Sequence, residues 1–315
     1  MLTLQVARRV AEAEGIAGLV LADPMGGELP AWRPGAHIDV FIDRPGQSAL
    51  VRQYSLCGDP GDRSQYRIAV LRESAGSGAS IRLHDGIRAG HLVRVSGPRE
   101  LFRFAPHERM VFVAGGIGIT PILPMIAAAE AAGADWVLHY AGRDPATMAF
   151  GGELRSYDGH VRTYAGSSGE RMALPQIVAD ARAAGAVVYA CGPGRLLDDA
   201  ERLCAAAEVE LHVERFVNDN ALTTESDHSF EVELSLTGRT ITVAPGETIL
   251  DKVAQAGVPA PSSCRGGTCG TCETFVLEGE PDHRDAVLTA AEREESEVMM
   301  ICVSRCKGDR LVLEL

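Results

Sequence analysis

The chain has 315 residues, of which 46% are hydrophobic and 23% are charged, proportions typical of globular proteins. Its net charge of −13 at pH 7 argues against binding to nucleic acid or to an anionic membrane surface. No apolar run approaches the roughly 18 residues that span a bilayer, and eight cysteines are too few for a disulfide scaffold. Because residues 1–5 lack the features of a signal peptide, we expect a cytoplasmic protein. Its length predicts two or three domains.

The first third of the chain contains short apolar segments separated by turns rich in glycine and proline. The predicted strands cover residues 4–10, 19–22, 37–42, 52–57, 66–71 and 92–96. Several short strands at this spacing predict an antiparallel β-barrel, which we place at residues 1–106.

Two features of this predicted barrel suit a phosphorylated aromatic cofactor. Arg52 and Tyr54 lie on one face of a strand and Ser55 follows, so a guanidinium, a phenol and a hydroxyl lie close together. Residues 76–80 form a glycine-rich loop before a short helical segment, which is suited to bind phosphate. By itself the first feature is a weak signal, and a cross-strand tyrosine beside a surface arginine explains it better.

From about residue 107 to residue 217 apolar strands alternate with helices, a pattern that predicts an α/β domain with a parallel sheet. The predicted strands cover residues 110–114, 136–140, 161–164, 187–190 and 210–213. One helix begins at Pro121, and the others cover residues 174–184 and 195–207.

Two glycine-rich turns follow strands of this predicted sheet. The first contains Gly115, Gly116 and Gly118, with Thr120 as the predicted N-cap of a helix and Pro121 as its first residue. The second turn consists of Cys191, Gly192 and Pro193. Glycines allow a phosphate to approach the backbone at a helix N-terminus. A tight strand–helix turn without a ligand remains the alternative, since Pro121 stands where a dinucleotide fingerprint has its last glycine.

The polar residues 218–229 show no periodicity, so we predict a linker there. The segments after this linker predict a third domain at residues 230–315. Its strands are predicted at residues 230–235, 239–243, 274–277 and 310–315, with a helix at 248–256.

The third domain carries Cys264, Cys269 and Cys272, followed much later by Cys302. Three cysteines with intervals of four and two residues, plus a distant fourth, have the plant-type spacing of a [2Fe–2S] cluster. We expect the glycines at 266, 267 and 270 to take positive φ angles around it. A zinc site usually has paired Cys-x2-Cys knuckles or histidines instead. Cys306 is close enough to Cys302 to be an alternative fourth ligand.

Together these segments resemble the phthalate dioxygenase reductase family, which includes the vanillate demethylase reductases. The resemblance extends over essentially the whole chain, in the order flavin-binding barrel, nicotinamide domain and ferredoxin domain with a β-grasp fold. The residues that match the family's flavin motifs are Arg52, Tyr54, Ser55, Ala69, Val70, Leu71, Gly76, Ser77, Gly78, Ala79 and Ser80. Those that match its nicotinamide motifs are Gly115, Gly116, Gly118, Thr120, Pro121, Cys191, Gly192 and Pro193. Phe216 matches an aromatic residue near the flavin, and residues 301–305 match the segment in which Cys302 is the fourth cluster ligand.

The resemblance implies an NADH-dependent reductase that passes electrons through FMN and a [2Fe–2S] cluster to a Rieske-type terminal oxygenase. The cofactors supply the redox chemistry, so we assign no side chain as a catalytic acid or base. Two alternatives are a reductase for another acceptor, such as a cytochrome P450, and a non-enzymatic redox sensor that uses the same cofactors.

Two details bear on cofactor affinity and choice. Ser77 stands where the family's phosphate loop usually has an arginine, so a fixed positive charge is lost unless Arg72 or Arg82 replaces it. For NADPH, a group of cations would be needed beyond the second strand of the sheet, and Arg143 is followed directly by Asp144. Despite Arg171 in the next loop, we therefore predict NADH.

Overall fold

The computed structural model describes residues 1–44, 46–74, 78–218 and 227–315, without the side chains of residues 47 and 48. The chain forms two compact units, Met1–Arg215 and Phe216–Leu315. No helix within the described ranges is long and apolar enough to cross a lipid bilayer.

The first unit begins with a six-stranded antiparallel sheet. Its strands are β1 (Leu2–Ala13), β2 (Ile16–Ala22), β3 (Ala36–Arg44), β4 (Gln47–Ser55), β5 (Gln65–Leu71) and β6 (Leu92–Glu100), arranged in the order β4-β3-β6-β1-β2-β5. The two edge strands meet, because the Cys57 N–H just after β4 donates to the Arg67 carbonyl in β5 at 2.9 Å. This bond closes the sheet into the predicted barrel. Helix α1 (Ala79–Gly86) follows β5.

The barrel is stabilised by the alternation of its strands, since every second side chain points inward. Ile38, Val40 and Ile42 of β3 are buried in this way, and Tyr66 of β5 lies among them. The Tyr66 hydroxyl donates to the Pro30 carbonyl at 2.6 Å, so its one polar atom is satisfied inside an apolar core.

The rest of the first unit is the predicted α/β fold. Its elements are β7 (Arg109–Gly115), α2 (Ile119–Ala131), β8 (Asp135–Gly142), α3 (Gly151–Leu154), β9 (Val161–Ala165), α4 (Leu174–Ala184), β10 (Val187–Cys191), α5 (Gly194–Ala207) and β11 (Leu211–Glu214). All five strands are parallel, in the order β11-β10-β7-β8-β9. Helix α2 packs on one face of the sheet, and α4 and α5 pack on the other. The strand order reverses between β7 and β10, which is where sheets of this type bind ligands.

The barrel and the parallel sheet share one apolar cluster. Ile16, Cys57 and Ala69 from the barrel belong to the same group of buried side chains as Phe112 and Ile122 from the α/β part. This shared core explains why both parts form one compact unit. A boundary at residue 106 would lie within that unit and stays a prediction.

The second unit is a mixed sheet covered by a helix, as in the predicted β-grasp fold. Its elements are β12 (Phe230–Leu234), β13 (Arg239–Val243), α6 (Ile249–Gln255), β14 (Glu273–Glu278), β15 (Pro281–Asp282), α7 (Ala290–Glu295), β16 (Val298–Met300), β17 (Arg305–Cys306) and β18 (Arg310–Leu313). The main sheet has the order β13-β12-β18-β14-β16, with β12 and β18 parallel. Ile249, Leu250 and Val253 attach α6 to its core.

Candidate functional sites

The two glycine-rich turns of the parallel sheet lie side by side. Ala114 near the end of β7 is paired with Cys191 at the end of β10. A Cβ atom added to Gly118 would lie 2.4 Å from the Cys191 carbonyl oxygen, and one added to Gly115 would lie 2.5 Å from Cδ of Pro193. Gly115 and Gly118 are therefore required by the packing of one turn on the other, whether or not a ligand binds.

Gly116 differs from its neighbours in this turn. Its φ is +55°, and an added Cβ would meet nothing within 4 Å. A left-handed backbone beside open space is the feature that close approach of a ligand phosphate requires. Among the glycines of the first turn, Gly116 is the one whose identity packing does not explain.

The predicted N-cap at Thr120 is wrong. Helix α2 begins at Ile119, one residue earlier, with Gly118 as its N-cap. Thr120 is buried within the first turn, and its hydroxyl donates to the Ile117 carbonyl at 3.0 Å. Pro121 is accordingly the third helical residue, where its missing N–H still leaves no helical hydrogen bond unmade.

We predict that Gly118→Ala lowers the free energy of unfolding by about 1–3 kcal/mol, because the new methyl group overlaps the second turn. The Michaelis constant for the pyridine nucleotide should rise as the two turns separate. Thermal unfolding and steady-state kinetics measure both effects. Gly151→Ala is the matched control, since a Cβ there meets nothing within 4 Å. Equal stability of the two variants would contradict the prediction.

The barrel residues of the predicted flavin motif lie around the closure of the barrel. Tyr54 is half-buried against the barrel core, and burial raises the pKa of its hydroxyl. Ala69 and Val70 are buried in β5, and Leu71 ends that strand. Arg52 donates to the Val51 carbonyl at 2.7 Å. Strands β4 and β5, which carry these residues, thus meet at the closure.

The phosphate loop is only partly described, since Gly76 and Ser77 lie outside the described residues. Gly78 is the N-cap of α1 with φ +75°, and Ala79 and Ser80 are the first residues of that helix. The helix has no acidic residue in its first turn, so its N-terminal N–H groups suit an anion. Arg72 already forms an ion pair with Asp85 at 2.9 Å.

Glu214 was missed by the sequence analysis. It ends β11, next to Cys191 in the sheet register, and the Ser55 hydroxyl donates to its Oε2 at 3.3 Å. Burial raises the pKa of Glu214 from the ordinary 4.5 to about 8. Its carboxyl group therefore connects the predicted flavin motif to the carboxyl edge of the parallel sheet. The available signal was a lone acidic residue at the end of the last parallel strand.

The raised pKa of Glu214 makes stability depend on pH. Between the ordinary pKa of 4.5 and about 8, the unfolded chain has lost a proton that the folded protein keeps. The group's contribution to stability is therefore fully present below that window and is lost as the pH rises through it.

We predict that Glu214→Gln flattens this dependence on pH. The melting temperature of the variant minus that of the parent should therefore increase from about pH 5 to about pH 8. Thermal melts across this range measure it. Parallel pH profiles for the two proteins would show that the pKa of Glu214 is not raised by folding.

Four cysteines of the second unit converge. Cys264, Cys269 and Cys272 lie on the loop between α6 and β14, and Cys302 follows β16. The Cys264 thiol is within hydrogen-bonding distance of Cys269 and Cys302, and Cys272 is within that distance of Cys302. Hydrogen bonds from Cys269 and Cys302 lower the pKa of Cys264. Cys269, Cys272 and Cys302 are each only 3% exposed.

Cys306 is oriented differently. It lies in β17, where its sulfur contacts the Arg310 carbonyl at 3.5 Å, and burial raises the pKa of its thiol. Its described contacts are those of a buried structural thiol.

The backbone of the cysteine loop supports a negatively charged group. The Gly266 N–H donates to Sγ of Cys264 at 3.3 Å, as expected for a stabilised thiolate. Gly267 and Gly270 take positive φ, but Gly266 does not, and Arg265 takes φ +55° instead. The expectation for Gly266 was therefore wrong by one residue.

Four converging thiols with a backbone donor fit the ligand chemistry of an iron–sulfur cluster. Residues 232–307 match the family described as the 2Fe-2S iron-sulfur cluster binding domain.

The whole chain is similar to known reductases. It is 41% identical over 292 residues to the phenoxybenzoate dioxygenase subunit beta of Ectopseudomonas oleovorans, covering 91% of this chain and 89% of that protein. The solved structure of phthalate dioxygenase reductase matches with a TM-score of 0.71 and 35% identity over 100% of this chain and 98% of that one. The chain belongs to the phthalate dioxygenase reductase family.

Membership confirms the predicted flavin-binding barrel, nicotinamide domain and ferredoxin domain. The protein is an oxidoreductase of the type that supplies electrons to oxygenase systems, and the predicted cofactors FMN, NADH and [2Fe–2S] are those of this family. An intact type IV self-sufficient cytochrome P450 monooxygenase also matches, with a TM-score of 0.87 and 42% identity. That match covers 99% of this chain but only 41% of the P450 chain, so this reductase spans about two fifths of its length.

Proposed function

We propose that this reductase takes electrons from NADH and delivers them singly to a Rieske-type terminal oxygenase. The observation that carries the proposal is the convergence of four cysteine thiols in the same chain as a closed barrel and a doubly wound sheet. When bound, FMN converts a two-electron hydride donor into a source of single electrons, and the cluster carries them one at a time.

The residues of this chain would hold the groups as follows. The FMN ring would lie against Arg52, Tyr54 and Ser55 and against β5 at Ala69, Val70 and Leu71, with its phosphate at the loop Gly76–Ser80. Gly116 would admit the nucleotide phosphates, and the two turns from Gly115 to Pro121 and from Cys191 to Pro193 would frame them. Cys264, Cys269, Cys272 and Cys302 would be the cluster ligands. Phe216 is 39% exposed, so its ring is available to cover a ligand.

A protonated Glu214 suits this arrangement. Because its pKa is raised to about 8, it is mostly neutral at pH 7 and can donate a hydrogen bond. A neutral carboxyl group next to Ser55 adds no negative charge at the place where the electron-rich reduced flavin would lie. The proposed location is the cytoplasm, where thiols stay reduced and can serve as cluster ligands.

The test compares electron acceptors. The purified protein, reconstituted with FMN and iron and sulfide, should reduce ferricyanide and cytochrome c with NADH at many turnovers per second. It should also support turnover of its oxygenase. Catalytic reduction of neither acceptor would favour the redox sensor, and mass spectrometry of the released flavin would refute FMN by finding FAD.

The choice of NADH depends on Asp144. Its carboxylate accepts the Ala146 N–H at 2.9 Å, and this bond together with one to Ser167 lowers its pKa. The loops that follow β8 and β9 meet there, since the Ser167 N–H donates to the Arg143 carbonyl at 2.8 Å. An ionised carboxylate at this edge of the sheet would repel a 2′-phosphate and accept hydrogen bonds from a ribose.

We predict that kcat/KM favours NADH over NADPH by about tenfold or more, equivalent to roughly 1.4 kcal/mol. Asp144→Asn should reduce this preference mainly by lowering the Michaelis constant for NADPH. Steady-state kinetics with both nucleotides decides the matter. A tenfold preference for NADPH in the parent protein would contradict the prediction and make Arg171 the candidate partner of the 2′-phosphate.

A second candidate acceptor is a cytochrome P450. It is favoured by the TM-score of 0.87 with the self-sufficient P450, whose chain contains a segment 42% identical to this one. Reduction of a purified P450 haem, followed as the carbon monoxide difference spectrum, distinguishes it from reduction of a Rieske centre.

A further inference from the structure

Two residues of the predicted linker, Asn218 and Asp227, form hydrogen bonds with the same arginine of the second unit. The Asn218 side-chain amide donates to the Arg284 carbonyl at 2.7 Å. The Arg284 guanidinium donates to Oδ1 of Asp227 at 2.6 Å. The Asp227 side chain is 2% exposed. Asn218 and Asp227, the described residues on either side of residues 219–226, therefore both bond to Arg284.

Asn218 is also attached to the cysteine loop. The same amide nitrogen donates to the Gly266 carbonyl at 3.0 Å. A Cβ added to Gly267 would lie 2.7 Å from Nδ2 of Asn218, so the amide occupies the space beside that glycine. The Gly267 carbonyl in turn accepts the Ala286 N–H at 2.8 Å. Asn218 thus joins the loop that carries Cys264 and Cys269 to the segment around Arg284.

The chain upstream is fixed within the first unit. Glu214 accepts the Ser55 hydroxyl at 3.3 Å, and the Arg215 guanidinium pairs with Asp198 at 2.8 Å and with Glu201 at 2.7 Å. Residues 216 and 217 lie between Arg215 and Asn218, and their exposed fractions are 39% and 65%. Three Cα–Cα steps of 3.80 Å can span at most about 11 Å.

We propose that the functional connection between the two units is Phe216–Val217, and that Asn218 is a positioning residue that fixes the cluster loop to it. This inference rests on the proposed function, because it assigns the short connection to electron transfer from the flavin to the cluster. A change in chain length after Asn218 then lies outside the connection and does not affect this transfer. Each electron that leaves the reduced flavin reduces one oxidised cluster.

The first test uses the same two-glycine insertion at two places in the full-length protein. Inserted between Val217 and Asn218, it lengthens the connection and should slow cluster reduction in stopped-flow experiments by about tenfold or more. Inserted between Asn220 and Ala221, it leaves the connection before Asn218 unchanged and should leave that rate within about twofold of the parent. NADH–ferricyanide activity and the EPR signal of the reduced cluster should survive in both. Equal slowing by the two insertions, or slowing by the second alone, would overturn the proposal.

The second test removes the side chain that fixes the loop. Asn218→Ala should speed hydrogen exchange of the Ala286 amide by about tenfold, because two hydrogen bonds that hold the neighbouring carbonyls are lost. It should also slow cluster reduction while the cluster remains bound. Ser304→Ala is the matched control, since Ser304 accepts the Arg284 N–H at 3.2 Å without contacting the connection. If Asn218→Ala leaves exchange and cluster reduction at the parental values, or if the control slows reduction equally, Asn218 has no positioning role. Loss of ferricyanide reduction in the parent would instead reject the proposed function.

Discussion

Serine in place of Cys264, Cys269, Cys272 or Cys302 is expected to abolish the visible absorbance and the EPR signal of the reduced cluster. Iron in such clusters is held by thiolates, and a serine hydroxyl keeps its proton at neutral pH. The four thiols are also the ones that approach one another in the structure. Iron and sulfide analysis of each variant would accompany the spectra.

Cys306→Ser supplies the matched control for this series. Cys306 is as buried as Cys302, at 3% exposure, and lies four positions further along the chain. Its sulfur contacts the Arg310 carbonyl, so serine there can keep a similar hydrogen bond. This variant should keep both signals. A signal that survives in Cys302→Ser and disappears in Cys306→Ser would reverse the ligand assignment.

The second large effect is expected from removal of the ferredoxin unit. A chain that ends at Val217, and so keeps Phe216, should keep FMN and NADH–ferricyanide activity but lose cytochrome c reduction and all coupling to an oxygenase. The first unit has its own apolar clusters, which lie in the barrel and on both faces of the parallel sheet. It therefore buries enough apolar surface to fold alone.

The end point of this truncation matters. A chain that ends near Thr224 would retain Asn218 while removing Gly266 and Arg284, to which its amide donates. We therefore expect the shorter chain to have the higher melting temperature in thermal unfolding. If either truncated flavoprotein still drove the oxygenase, the cluster would be a side branch rather than the exit for electrons.

Local sequence patterns predicted much of the fold. Helix α4 has the bounds that periodicity predicted for residues 174–184, and the alternation of strands and helices gave the parallel sheet. Helix α7 was not predicted, because none of its residues is buried and it has no apolar face. Its Thr289–Glu292 capping box was the signal that could have revealed it.

The candidate sites also include features that local sequence predicted and features that it did not. Cysteine spacing identified the cluster domain, since ligands on one short loop are separated by a few residues whatever the rest of the chain does. The hydrogen bond between Ser55 and Glu214 joins residues 159 positions apart, and no local sequence pattern predicts it. Nor could the sequence show that Gly118 is required by the Cys191 carbonyl rather than by a ligand.

The sequence by itself determined the family, the order of the domains and the residue types available for each cofactor, because these depend on motifs and on periodicity within short segments. Only the tertiary structure decided which residues meet: Glu214 with Ser55, one glycine turn with the other, and Asn218 with the cysteine loop. Such meetings depend on how sheets close and strands are ordered, which many distant contacts determine together. The local sequence around each residue is compatible with several partners, and packing of the whole unit selects one.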